Sequence, residues 1–438
     1  MDPLSGWPLV LQRLVRMLVF MLFRFTFTTI QKIYWYINGT THRIRRSKKS
    51  ENYSMCAHIL DIVLFNEFDI ADHCSTKNYI LSHKRFESPQ YIFDNDHVSL
   101  ITIDEENAIF GVAKQKGMHL WKFEHGSFIR DAQVLHCKQL ILVPLNHFHR
   151  MAVELGDPKG QLIFLFHTSR CGSTLVSQMM QTTGKCISIS EPESINAMAR
   201  WYKCKGDSLE FRQLCQDVVR WTCRPYQNIT PLAYMVKVMP LYNYILPVFG
   251  EIYPCSKCLF MYRDVIKVAQ SFYRFSRALP SLVLLDTVTK LSPRFDEEYL
   301  DWVSSLGKKF IYKFSDDLSL GVIFVTVNCK LYSEFRLNGL KVSALRYEDI
   351  VKDKHLAAKA ILKFCGLPMS LEQDFLHGLE FDSQQNSDFS QMLLAKHREP
   401  PLTLETERLV NEVLKENGLP IIGDDWLLEG TITYGNYQ

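Results

Sequence analysis

The stretch Phe164-Leu165-Phe166-His167-Thr168-Ser169-Arg170-Cys171-Gly172-Ser173-Thr174-Leu175 decides how this chain is read. Leu162 to Phe166 is a continuous apolar run, which predicts a strand buried on both faces of a parallel sheet. The chain then turns through small residues, and a helix is expected to begin near Ser173. The amides of a first helical turn, together with the helix dipole, favour an anion in such a loop. Gly172 permits close approach of backbone to a ligand, the hydroxyls of Ser169, Ser173 and Thr174 add donors, and Arg170 supplies a forked cation. A P-loop NTPase would carry Gly at position 167 and Lys at position 173. This chain has His167 and Ser173, so ordinary ATP or GTP hydrolysis is disfavoured.

A second anion grip is expected downstream. Lys257 to Tyr262 predicts another strand, with Arg263 at its end, where ligands gather in open α/β sheets. Ser271 follows eight residues later on the next helix, within reach of the same pocket. An Arg and a Ser converging there suit a second phosphate. Two alternatives stand beside this: Arg263 in an ion pair with Asp264 or another acid, or Asp264 as a magnesium ligand. A third stretch runs Val342-Ser343-Ala344-Leu345-Arg346-Tyr347-Glu348-Asp349-Ile350, then Phe364-Cys365-Gly366-Leu367-Pro368.

Taken in order, the three stretches resemble the phosphoadenosine phosphosulfate-dependent sulfotransferases, over Phe164 to Pro368. The first is similar to the 5′-phosphosulfate loop of their membrane-linked and bacterial branch, which uses Arg where the cytosolic branch uses Lys. The second is similar to the 3′-phosphate motif, with Val265 in place of the usual Pro. The third resembles the late R-Y-E-D strand end and the helix closing on F-x-G-L-P. The resemblance implies that Thr168, Ser169, Arg170, Cys171, Gly172, Ser173 and Thr174 wrap the phosphosulfate of 3′-phosphoadenosine 5′-phosphosulfate. Arg263 and Ser271 would hold the 3′-phosphate, and Arg346 with Glu348 would organise the site. The implied reaction moves a sulfuryl group to a hydroxyl or amine of a glycan, lipid or small molecule, without a metal. Arg170 is the expected stabiliser of transition-state charge; Lys237, on the strand Tyr234 to Val238, is either a second stabiliser or an ion-paired lysine. Glu191 is the expected base, with Glu193 second and His167 a further candidate. Other readings are a phosphoadenosine-binding scaffold protein with the same fold, or a kinase or NTPase.

Around these motifs, strands alternate with helices: Tyr234 to Val238, a crossover helix Tyr242 to Ile252, a helix Val265 to Phe275, and a helix Leu356 to Cys365. This predicts an α/β fold, P-loop-like, with a parallel central sheet covered by helices over 161–438. Residues 50–158 predict a small β-rich or mixed module, with short strands at Tyr91 to Phe93, Val98 to Ile103, Ala108 to Ala113 and Leu140 to Val143. Residues 1–49 are expected to form an apolar and basic membrane-associated segment. At helical spacing Arg13, Arg16, Arg24 and Gln31 fall on one side, which suits an interfacial anchor, while a spanning signal anchor and an amphipathic helix packed against the protein's own body are the alternatives.

Charge sets further bounds. Fifty Lys and Arg against 47 Asp and Glu leave +3, so no global field favours nucleic acid and any anion site is local. The cluster Arg43, Arg45, Arg46, Lys48, Lys49 would hold the following domain on the cytosolic side of a spanning helix, whereas Golgi-lumenal residence is the habit of many glycan sulfotransferases. Sequons at Asn38, Asn52 and Asn228 suit a lumen. The twelve cysteines, including the Cys255/Cys258 pair, lack a zinc-site pattern and read mostly as small buried apolar residues. Acceptor specificity is expected in 276–330 and the C-terminal tail.

Overall fold

The computed structural model describes residues 7–66, 76–227, 229–278, 318–385 and 391–433. In chain order, helices α1 (Trp7–Ile37) and α2 (Thr40–Ser47) precede strands β1 (Ala57–Phe65) and β2 (Tyr79–Glu87), a short helix α3 (Gln90–Phe93), and strands β3 (Val98–Ile103) and β4 (Asn107–Ala113). Helix α4 (Ile129–His136), strand β5 (Cys137–Pro144) and helix α5 (Leu145–Leu155) complete this part. Then come β6 (Gln161–His167), α6 (Ser173–Thr182), β7 (Cys186–Ser190), α7 (Glu193–Lys205), α8 (Leu209–Thr222) and β8 (Ala233–Lys237). After these follow α9 (Leu246–Ile252), β9 (Lys257–Tyr262), α10 (Val265–Ala278), α11 (Ser319–Leu337) and β10 (Val342–Arg346). Helices α12 (Tyr347–Lys352), α13 (Lys354–Phe364) and α14 (Glu372–His377) lead to the C-terminal segments.

The chain divides into two compact units, one of Met1–Lys159 with Glu191–Thr230, the other of Gly160–Ser190 with Pro231–Gln438. Residues 191–230, which the sequence reading assigned to the nucleotide-binding part, therefore pack with the first unit.

The second unit is built on a five-stranded, all-parallel sheet in the order β10-β9-β6-β8-β7. Its strands are apolar and buried almost throughout, as a sheet covered on both faces requires. The register is what matters for function. Leu165 pairs with both Lys237 and Leu259, Ser190 pairs with Lys237, His167 with Met261, and Arg346 with Tyr262. All five strands thus end along one edge, the place where open α/β sheets bind ligands. Met179, Met180, Ile361, Leu362 and Phe375 belong to one buried cluster with the strand residues Ile163, Met235 and Met261. Strand β7 was not recognised from sequence, because a five-residue run after a helix carries too little periodicity. The expected crossover helix from Tyr242 is instead a 3₁₀ turn over Pro240–Ile245, followed by α9. A proline at the start of each piece suits the opening of a helical segment. Acceptor-region residues 279–317 lie outside the described residues, and so does the Asn228 sequon.

The first unit contains an antiparallel sheet in the order β2-β1-β5-β4-β3. Strand β3 is buried at every position, because α7 and α8 pack on it. Strands β1 and β2 were not anticipated. Tyr91 to Phe93, expected as a strand, is the helical turn α3, with Pro89 as its N-cap and the Ser88 hydroxyl accepting from the Gln90 amide; three apolar residues alone cannot distinguish the two. Trp221 stands edge-on to Phe93 and Phe110, at 5.1 Å from each ring. Beside it the buried Arg224 guanidinium donates to the carbonyls of Ile92 (2.8 Å), Phe93 (3.0 Å) and Val98 (3.3 Å). One side chain therefore satisfies the turn that joins α3 to β3.

Replacing it leaves those buried carbonyls without donors. Arg224→Met is expected to destabilise the first unit by about 2–4 kcal/mol, read as a lower urea midpoint by tryptophan fluorescence with unchanged oligomeric state.

Candidate functional site

The site grows from the turn between β6 and α6 in the second unit. Ser169 (φ 67°), Arg170 (φ 49°) and Gly172 (φ 86°) all sit in the left-handed region, an arrangement costly for two non-glycine residues in succession. Three contacts impose it. The His167 ring accepts the Ser169 amide at Nδ1 (3.1 Å). The Met261 carbonyl of neighbouring β9 accepts both the Thr168 amide (3.0 Å) and the Cys171 thiol (3.3 Å). A Cβ at Gly172 would lie 2.5 Å from the Tyr347 ring, so this position needs glycine for space as well as for conformation.

Burial pushes the His167 pKa well below its ordinary value, reinforced by Lys237. A neutral imidazole whose Nδ1 already accepts a backbone amide is suited to holding the loop. It is poorly suited to taking a proton from an acceptor.

Gly172 caps α6 and has no side chain to satisfy the first helical amides, which therefore point into the cavity in front of them. That cavity is about 550 Å³, within the usual size for a small-molecule site of ~300–1,000 Å³. Arg170, Gly172, Ser173, Thr174, Arg263 and Ser271 all line it. The Arg170 Nε donates to the Ser271 hydroxyl at 3.0 Å, joining the two expected anion grips in one cleft. Burial, followed by the charges of Arg274 and Arg263, holds the Arg170 guanidinium down at about 10.

Several cavity residues were not singled out from the sequence. Arg274 lies three residues beyond Ser271, one helical turn along α10, so the i,i+3 spacing was a usable signal. Its guanidinium also meets Glu399 at 3.0 Å. Tyr347 was read only as part of a motif, yet its ring faces Gly172 and lies under the Arg263 guanidinium, 4.5 Å from the ring centre. The segment after α14 also reaches the cavity with Asp382 and Gln384, and Gln384 accepts from Arg170 at 3.2 Å. Gly378 makes this approach feasible, since a Cβ there would lie 2.6 Å from the Met179 backbone of α6.

Other expected residues are placed differently. Thr168 and Cys171 are fully buried beneath the loop and do not line the cavity. Ser169 contributes through its constrained backbone. Arg346 directs its guanidinium to Asp349 (3.0 and 2.7 Å) and to Asp425, bracing the chain beyond β10; it does not line the cavity. Glu348 accepts the Asp264 amide at 3.1 Å and stands 4.0 Å from Arg263. Asp264 accepts the Lys267 amide at 2.9 Å, the pattern of a helix N-cap.

Lys237 is buried at the end of β8 and donates to the Thr174 hydroxyl (3.0 Å) and the Ser190 hydroxyl (3.4 Å). Glu191 follows Ser190 directly in the chain, is buried, and has φ 53°. Within the first unit Glu193 is tied to Arg200 and accepts from Asn196 at 3.0 Å.

The profile of the sulfotransferase domain matches residues 161–408. Among solved structures, the chain is similar to the sulfotransferase domain from the curacin biosynthetic pathway, with 16% identity, 58% of this chain and 97% of that one covered, and a TM-score of 0.32. It is also similar to sulfotransferase STF9 from Mycobacterium avium (12%, 64% and 81%, 0.38). A third likeness is to mouse sulfotransferase SULT7A1 complexed with PAP (14%, 64% and 90%, 0.35). No curated protein matches the chain. With the domain profile covering more than half of its length, this chain belongs to the sulfotransferase family.

Proposed function

We propose that the protein transfers a sulfuryl group from 3′-phosphoadenosine 5′-phosphosulfate to a hydroxyl or amine of a glycan, lipid or small-molecule acceptor. The observation that carries this reading is the 3.0 Å contact between Arg170 and Ser271. Two cation-and-hydroxyl groups from motifs a hundred residues apart meet in one cleft, as a doubly anionic nucleotide would need. Gly172 caps α6 without a side chain, which leaves the first amides of the helix available to a phosphate.

In this reading the α6 amides, Ser173 and Thr174 take the 5′ end, while Arg263 and Ser271 take the 3′-phosphate. Tyr347 supports the Arg263 guanidinium over its ring. The acceptor oxygen or nitrogen bonds to sulfur as the sulfur–oxygen bond to the 5′-phosphate breaks. The acceptor proton passes to a base, and the departing phosphate oxygen gains negative charge. Arg170 on the cavity wall faces that charge, and Lys237 supports it from behind through the Thr174 hydroxyl, in a desolvated setting where fixed cations act most strongly. Glu191 is the proposed base, since it follows the last residue of β7 directly and its neighbour Glu193 is engaged by Arg200. The strained Glu191 backbone is itself a sign of an imposed position.

Three measurements test the proposal. With labelled donor and a panel of phenols, steroids, saccharides and glycolipids, Arg170→Ala is expected to lower transfer by roughly 10²–10³. Magnesium-dependent ATP turnover without binding of phosphoadenosine phosphate would instead support a kinase or NTPase, and arginine-independent labelling with retained binding would support a scaffold. Glu191→Gln is expected to reduce kcat by about 10²–10⁴ with nucleotide affinity unchanged by calorimetry. Gly172→Ala must displace the Tyr347 ring and strain a positive φ, so phosphoadenosine phosphate binding should be lost while the circular dichroism spectrum is kept.

A further inference from the structure

We propose that the outward face of α1 is a lipid-embedded surface, and that this helix lies in the plane of a membrane without crossing it. By length and composition Leu14–Ile37 could span, with a mean hydropathy of 1.4. Its contacts within the first unit argue otherwise.

The polar side of α1 faces protein. Arg24 Nε donates to the Tyr79 carbonyl (3.3 Å) and Gln31 Nε2 to the Leu81 carbonyl (2.6 Å), both on the edge strand β2. The Trp35 ring stands edge-on to His58 and His83 at 5.8 and 6.1 Å. Contact therefore advances along β2 as it advances along α1, and helix and strand run side by side. Phe20 is buried on the same face. The helix thus caps an open sheet edge, a common means of blocking edge-to-edge pairing, and it does so with the residues that would otherwise have met lipid headgroups.

The opposite side is apolar and uncovered. Leu18, Leu22, Phe25, Ile33, Tyr36 and Ile37 are all more than half exposed. At about 100° per residue, Arg16 and Lys32 stand at the two borders of an outward arc of roughly 200° that carries no charged side chain. Its threonine hydroxyls turn back on the helix: Thr26 and Thr29 donate to the Leu22 and Phe25 carbonyls at 2.9 and 2.7 Å. Such an arc is far wider than the seam by which two helices pair, which favours lipid over a second copy of this chain. Exposed Arg43, Arg45, Arg46 and Lys49 follow at the helix's end, complementary to anionic headgroups.

Crossing is opposed by what is bound to the helix. A spanning α1 would draw the docked strand, with Ser82, His83, Lys84 and Arg85, into hydrocarbon together with an antiparallel sheet that is not a closed barrel. An in-plane helix keeps that strand at the interface and immerses only the apolar arc.

The test uses the whole protein with vesicles of phosphatidylcholine, with and without phosphatidylserine. The wild type should float with vesicles, more strongly when phosphatidylserine is present. Leu18→Asp/Leu22→Asp/Ile33→Asp should float at least tenfold less, with an unchanged circular dichroism spectrum. Fluorophores are then placed singly at Leu11→Cys, Leu22→Cys and Ile33→Cys in a Cys74→Ser/Cys204→Ser/Cys255→Ser background, and their depth is read with nitroxide lipids. The three positions share one face, so an in-plane helix gives them equal depths. A spanning helix puts Leu22 deepest, with the others about 16 Å away along the axis on either side. That gradient would overturn the proposal, and so would failure of the wild type to float or burial of the labels in a dimer without vesicles.

Discussion

Three guanidinium groups, those of Arg170, Arg263 and Arg274, face one cavity whose floor is a helix N-terminus. Like charges gathered in a partly desolvated cleft repel one another, and burial first, then the charges of Arg274 and Arg263, depress the Arg170 pKa. Such an arrangement is maintained only by compensation elsewhere. Ser271 and Gln384 accept from Arg170, the Tyr347 face supports Arg263, and Glu399 meets Arg274. A polyanion placed among these guanidinium groups would relieve their mutual repulsion.

The strained loop beneath these cations depends on the parallel register of β6 and β9. Pairing His167 with Met261 brings the Met261 carbonyl under the turn, where it takes the Thr168 amide and the Cys171 thiol. A strand slipped by one residue would turn that carbonyl away and release the positive φ values at Ser169 and Arg170. The buried neutral His167 completes the lock from the other side. Conformational strain at the loop is thus offset by hydrogen bonds to rigid strands, a sound way to preorganise donors for charge that develops during a reaction.

The first unit shows a second use of ordinary parts. The chain leaves the parallel sheet after Ser190, supplies α7 and α8 to the antiparallel sheet, and returns at Pro231. Those helices bury β3 on a face that would otherwise meet water, and Trp221 and Arg224 tie them to α3 and the turn that follows. At the other end of this sheet α1 caps the β2 edge with its polar side. Its amphipathicity is therefore inverted relative to a surface helix of a soluble domain.

Much of the second unit was legible in the sequence, because fully buried parallel strands are continuous apolar runs and anion loops concentrate small residues, glycine and arginine over a few positions. The loop from Thr168 to Thr174, Arg263 with Ser271, and the strands β6, β8, β9 and β10 were all visible on those grounds. So was the long apolar helix at the N-terminus. What only the tertiary structure decided was which partners the residues find. Arg346 looks like a ligand in its motif yet is taken by Asp349 and Asp425, the latter 79 residues away. Asp264 looks like a metal ligand and caps a helix, and Arg24 and Gln31 look like headgroup contacts and bind a strand edge. Residue type and spacing determine what a side chain can do; the charges and carbonyls brought near it by distant parts of the chain select what it does.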